Sequence, residues 1–174
     1  MKVERMIFTS FAVLALSTSV WAQSLTAEVR TTYDRFRTAV ERFDTMAVRE
    51  MLDPGFSLTL PSGQVIARAA YLTGIEERRI IGSGAPRHSF VLSNLRERNG
   101  FVTVTALLTL NSNFVDGNAT MHTLKVVERK TIRFRREGKA LKVASIDALE
   151  IRTSIDGKTA SIEKRNSAAG RGRR

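Results

Sequence analysis

The chain has 174 residues, 43% of them hydrophobic and only three of them proline, enough to bury one real core and to leave room for one domain plus tails. It contains no cysteine, which excludes thiol catalysis, cysteine-ligated zinc, iron–sulfur clusters and disulfide stapling, so the domain must hold together by packing alone. Lysine and arginine number 28 against 17 acidic residues, a formal charge of +11, but the surplus is spread along the chain rather than gathered on one element, which argues against a nucleic-acid partner.

The N-terminus opens with Met1-Lys2-Val3-Glu4-Arg5, continues with an apolar run from Met6 to Leu16, and closes with Ser17-Thr18-Ser19 and Val20-Trp21-Ala22. A basic start, a short apolar core and a small residue at the cut describe a secretory signal peptide over residues 1–22. The apolar core is only about half the length of a spanning helix, and no later segment is apolar enough to cross a bilayer. The mature chain is therefore expected to begin near Gln23, to carry no membrane span, and to be secreted or periplasmic. Without Lys2, Arg5 and Glu4 the balance is 26 basic against 16 acidic residues, or +10.

From Leu25 to Phe43 the apolar residues Leu25, Val29, Tyr33, Phe36, Val40 and Phe43 recur every three or four positions between charged ones, which predicts an amphipathic helix of about five turns. Asp44-Thr45 offers a new N-cap for a shorter helix through Met51 and Leu52, stopped by Pro54-Gly55. Phe56, Leu58 and Leu60 then alternate with polar residues up to the turn Pro61-Ser62-Gly63, and Val65-Ile66 follows, a hairpin too short to stand alone. A third helix is expected from about Arg68 to Ile80, closed by Gly82-Ser83-Gly84. After Pro86 come four long strand-like runs, 87–98, 101–115, 121–136 and 141–151, separated by Asn99-Gly100, Asp116-Gly117 and Glu137-Gly138. Runs this long predict bulges and strong bending. Residues 156–174, rich in Ser, Ala, Gly and basic side chains, read as a disordered tail.

These elements predict an α+β domain over residues 23–155: three N-terminal helices with a short hairpin, packed in the curve of a four-stranded bent antiparallel sheet. The shape expected is a cone with a pocket, the hairpin lying as a flap at its rim. Arg42-Phe43-Asp44, Asp53-Pro54-Gly55-Phe56 followed by Leu60-Pro61-Ser62-Gly63-Gln64, and Thr131-Ile132-Arg133-Phe134 resemble the nuclear-transport-factor-2-like superfamily over roughly Leu25 to Ile151. The branch they resemble is that of small secreted bacterial domains of unassigned function, related to polyketide-cyclase-like and ketosteroid-isomerase-like domains. The resemblance implies this fold and a homodimer formed through the outer face of the sheet, where Val127, Ala144 and Ile146 are compatible with a contact. A ketosteroid-isomerase-like site implies a tyrosine and two acids at three positions that here read Phe36, Leu60 and Lys130, so that activity is excluded.

Two histidines remain, His88 and His122, near the starts of the first and third long strands. Strand parity places His88 with Phe90, Leu92 and Asn94, and His122 with Leu124 and Val126, so both are candidates for the concave interior. Imidazole is the natural general base near neutral pH. Asp147, among Ile146, Ala148 and Leu149, is a costly place for an unpaired carboxylate and completes the candidate set. The expected pocket lining is Tyr33, Phe36, Phe56, Leu58, Phe90, Asn94 and Leu124. Glu128-Arg129-Lys130 and Arg133-Phe134-Arg135-Arg136 read as a basic, solvated strand, with Phe134 its only aromatic for stacking a base. No cofactor loop and no metal triad are legible. The leading reading is a non-enzymatic or cryptically enzymatic domain binding a small, mostly apolar ligand; the alternatives are a lyase or isomerase acting on a small organic substrate through His88, His122 and Asp147, and a basic adaptor for an anionic partner.

Overall fold

The structure, a computed structural model, describes residues 9–81 and 87–165, and side chains over 23–77 and 87–165. Its elements in chain order are α1 (Thr9–Glu41), α2 (Thr45–Met51), β1 (Leu52–Thr59), β2 (Val65–Ala67), α3 (Arg68–Ile81), β3 (Arg87–Arg98), β4 (Phe101–Val115), β5 (Met121–Glu137), β6 (Ala140–Ile155) and β7 (Lys158–Lys164). The fold is α+β, with three helices and a curved, unclosed sheet.

The chain divides into two compact units, Met1–Arg35 and Phe36–Arg174. In the first, α1 runs without a break across the cut expected after Ala22. Residues 1–8 and the side chains through Ala22, which carry the signal-peptide pattern, lie outside the described residues. Leu25, Val29 and Tyr33, one helical turn apart, are buried, as the amphipathic stripe requires.

The second unit holds the sheet, ordered β2-β1-β6-β5-β4-β3, with β7 also on β6. It has seven strands rather than the four expected. Two of the additional strands are the short hairpin, which is stitched into the sheet: β1 pairs parallel with β6, Leu58 opposite Ile146, while β2 pairs antiparallel with β1. The third is β7, which occupies residues assigned from sequence to the tail. Asp156 and Gly157, both at positive φ, turn the chain back so that Glu150 to Ile155 pair with β7. One edge of the long strand β6 thus serves β1 in its first half and β7 in its second. Residues 166–174 lie outside the described residues.

Across the inner face the register stacks apolar rows, Val102–Phe134–Val143 and Val104–Ile132–Ile146, every member buried. Each such side chain contributes about 1.5–3 kcal/mol on removal from water. The bends come from bulges, as strands of 12 to 17 residues demand. On β3 the register slips between Ser93 and Arg96, with Asn94 at φ 55°. On β6 it slips twice, around Ala144 and Leu149. These two slips change which residues face inward. Ile146, expected on the outer face, is buried on the inner one, and Asp147 stands opposite Thr131 on the outer side.

Candidate functional site

The concave side of the second unit holds a cleft of about 330 Å3. Helix α1 brings Phe36, Arg37, Val40 and Glu41 to it, a set spaced so that each charged residue has its twin one turn away on the same face. The helix then stops in a Schellman arrangement: Asp44 N–H donates to the Ala39 carbonyl at 2.9 Å, and Phe43 N–H to that of Val40 at 3.2 Å. Phe43 sits at the left-handed position, φ 53°, where glycine is usual, and its ring lines the cleft. Such a conformation costs a non-glycine residue on the order of 1–3 kcal/mol. Asp44 goes on to cap α2, its side chain accepting from Ala47 N–H at 3.0 Å.

The hairpin contributes Leu58 and Leu60, helix α3 contributes Tyr71, and the sheet contributes Leu110, Val126, Ile146 and Ile151. Among these apolar walls β5 places Glu128 and Lys130, on the same face as Val126 and Ile132. Lys130 is 4% exposed, and its Nζ donates to Glu128 Oε2 at 2.6 Å. Burial pushes the Lys130 amine below its ordinary pKa, and the nearby Arg37 charge acts in the same direction, while Glu128 opposes both. Arg37, 8% exposed, meets Glu41 at 3.6 Å, and its Nε has no hydrogen-bond partner among the described residues. Glu41 also contacts His88 Nδ1. The contact sets the carboxylate against the Nδ1 edge of the imidazole ring. His88 is cross-strand partner to Leu110 of the cleft and stacks on Phe90, centroids 6.1 Å apart. Two carboxylates and two cations therefore line one apolar cleft, and the His88 imidazole adjoins it through Glu41.

The residues singled out from sequence fall in several places. Phe36 and Leu58 line the cleft, as do Leu60 and Lys130, so all three positions compared with the ketosteroid-isomerase pattern face it. Phe56 is buried against Tyr71, ring centroids 5.1 Å apart, and Tyr33 is buried in the first unit. Phe90 faces Leu108, Asn94 is exposed at the β3 bulge, and Leu124 pairs with Ser112 near the far end of β5. His88 and His122 are not brought together. Their partners on β4, Leu110 and Phe114, are four residues and so about 13 Å apart along the strand. His122 is instead clamped by Asp156 at 2.6 Å and Asp116 at 3.3 Å, and it stacks on Phe114. Hydrogen bonds to Asp156 and then Asp116 raise its pKa, and the same contacts help to depress both carboxyls. Asp147, on the outer face, pairs with Arg165 at 3.5 Å. Arg37, Glu41 and Glu128 were missed. Their signal was present: Glu128 and Lys130 interrupt the apolar parity of Val126, Ile132 and Phe134, and Arg37 and Glu41 adjoin Phe36 and Val40 on one helix face.

On the opposite face of the sheet Leu107, Val127, Arg129, Glu150 and Arg152 line a second concavity of about 350 Å3. Val91 and Leu107 are exposed there, and Glu150 pairs with Arg129, Arg152 and Lys164. The basic strand is largely partnered on this side. Arg135 reaches Asp53 at 3.2 Å, and Arg133 lies 3.7 Å over the Phe101 ring. Among the described residues no group of three or more His, Cys, Asp or Glu side chains is arranged to hold a metal, and no helix is long and apolar enough to cross a membrane.

A curved sheet with three helices and a cleft on its concave side defines the class: the chain has the nuclear-transport-factor-2-like fold. No protein-family model matches the sequence, and no curated protein matches it by sequence. The likeness is one of structure. A conserved protein from Planctomyces limnophilus DSM 3776 superposes with a TM-score of 0.63 at 12% identity, over 76% of this chain and 98% of its own. A hexachlorocyclohexane dehydrochlorinase, LinA type 2, does so at 0.59 and 11% identity, over 86% of this chain and 94% of its own. A putative dehydratase of the NTF2-like family from Streptomyces avermitilis gives 0.56 at 18% identity, over 72% of this chain and 95% of its own.

Proposed function

We propose that the domain is a lyase: it binds a small, mostly apolar organic molecule in the concave cleft and removes a proton from it, eliminating a small leaving group. The observation that carries this reading is the Glu41–His88 pair at the edge of a cleft that also holds Arg37 and Lys130. His88 takes the proton, Glu41 orients the ring and stabilises the imidazolium, and the positive charge of Arg37 beside the cleft stabilises the electrons left on the substrate. Removing water or hydrogen chloride, as the names of two structural neighbours specify, is chemistry of this kind. An apolar ligand held without reaction needs only the hydrophobic walls, and four charged side chains turned into them would weaken such a site. The adaptor reading draws little support from an outer basic strand whose arginines already have partners.

Secretion, with residues 1–22 removed, belongs to this proposal, as does a homodimer through the outer sheet face around Leu107 and Val127. The test of the lyase is turnover of a panel of small β-hydroxy and β-halo ketones, read as alkene formation or halide release. His88→Ala should lower turnover by about 10²–10⁴-fold. Turnover by the wild type that survives this substitution would remove the proposal.

A further inference from the structure

Lys130 is a side-chain amine buried to 4% exposure in the wall of a cleft large enough for a small organic molecule. Aliphatic ammonium groups are strongly hydrated, and the interior holds one at a cost. Here the cost is offset by one carboxylate, Glu128, at 2.6 Å, with no further hydrogen-bond acceptor on the Lys130 amine among the contacts described. A methionine or leucine at the same position would continue the apolar inner face of β5 between Val126 and Ile132 without such a debt. Arg37 already supplies a permanent positive charge nearby, so a second cation is not needed for charge alone. A lysine gives this site what arginine does not, a nitrogen able to lose its proton and act as a nucleophile.

We propose that Lys130 forms an imine with the substrate, and that the substrate is therefore an aldehyde or ketone. This rests on the lyase reading and names its substrate class. Glu128 Oε2 takes one proton from the ammonium, and the freed Nζ lone pair forms a bond to the carbonyl carbon as the C=O π bond breaks. The oxygen takes that proton from Glu128 to give a carbinolamine. Glu128 then moves a second proton from nitrogen to oxygen, the C–O bond breaks, and water leaves. The sum is one ammonium and one carbonyl giving one iminium and one water, with Glu128 again a carboxylate. The iminium cation acidifies the neighbouring C–H bond that His88 deprotonates, and the enamine electrons expel the leaving group on the β carbon. Burial, the largest cause, makes the Lys130 amine a weaker base than a solvated lysine, so less is needed to free its lone pair.

The experiment is reductive trapping on the full mature protein. Acetaldehyde and cyclohexanone, one smaller and one larger, are each added near pH 7 with cyanoborohydride, and modified lysines are located by peptide mass mapping. Lys130 should label at least about tenfold faster than the exposed Lys125, Lys139 and Lys158, and Glu128→Gln should slow Lys130 labelling by about tenfold or more. Labelling of the exposed lysines alone, or at rates equal to that of Lys130, overturns the proposal. The measurement is made on the wild type, so it does not depend on a Lys130 variant folding. His88-dependent elimination without Lys130 labelling would leave the lyase standing and remove the imine. Labelling of Lys130 with no His88-dependent turnover would do the reverse.

Discussion

Glu128 and Lys130 occupy positions that packing alone would give to aliphatic residues. Their neighbours on the same face, Val126, Ile132 and Phe134, are apolar, and the opposing Ala106, Leu108 and Ala148 are as well. A buried ion pair of this kind contributes little net stability, because desolvation takes back most of the attraction, yet removing one partner strands the other. Lys130→Met should therefore destabilise the domain by about 3–5 kcal/mol, whereas Lys130→Met with Glu128→Leu should be neutral or stabilising by about 1–4 kcal/mol. Denaturant titration of the three proteins decides. A double variant as unstable as the single one would mean that the pair holds the fold together rather than serving the cleft. Glu41 has a similar history. A carboxylate in the last turn of a helix opposes the macrodipole, and Arg37 and His88 are the partners that hold it there.

At the scale of elements, His122 joins two turns at the far end of the sheet. It bonds Asp116, which also accepts from the backbone N–H groups of Asn118 and Thr120, and Asp156, which accepts from Thr123 N–H. The ordinary values of the two residue types are 6.5 and 3.8. The histidine's raised folded pKa means its contribution is fully present below 6.5 and lost as pH rises through the higher folded value. The depressed carboxyls contribute above 3.8 and lose that contribution as pH falls through their lower folded values. The melting temperature of His122→Asn should therefore fall furthest below that of the wild type between those two values, and the gap should close under alkaline conditions. A gap that does not change with pH would show that the clamp is not ionic.

The elements themselves were largely legible in the sequence, because helix periodicity, Asp44 as a cap and the Asn99-Gly100 turn are local signals. Strand β7 was as legible as the others. Asp156-Gly157 is the same kind of turn signal, and it lies between Ile155 and the alternating Thr159, Ser161 and Glu163, but the basic composition around it suggested a tail. The faces of β6 were not legible, since each bulge reverses parity and no residue type marks Ala144 or Leu149 as bulged. That is why Asp147 was read as inward and Ile146 as outward. Half the site was hidden for a different reason. The Glu41–His88 contact joins residues 47 positions apart, and sequence periodicity carries no information on such a pairing.

At the scale of the whole molecule, the two sides of the sheet carry different chemistry. The inner side is apolar with a few charged groups held close together. The outer side combines exposed Val91 and Leu107 with a ring of Arg129, Arg152 and Lys164 around Glu150. A two-fold contact places the same patch on both partners, and this patch offers both signs of charge to its own copy. In the proposed dimer, Leu107→Glu brings two buried carboxylates together, and native mass spectrometry of the chain from Gln23 on should show that variant as monomer where the wild type is dimer. A wild-type monomer at micromolar concentration would remove the dimer and leave the cleft untouched, since every residue lining it belongs to one chain.

The most direct test of the central claim, that the cleft transfers a proton to His88, needs no leaving group. Cyclohexanone in deuterated buffer exchanges its α-hydrogens only when a base removes them, and proton NMR follows the loss of signal. The expected result is exchange accelerated by the wild-type protein and reduced by about 10²–10⁴-fold in both His88→Ala and Glu41→Gln. Exchange no faster than in buffer alone, or equally fast in the wild type and His88→Ala, would contradict it.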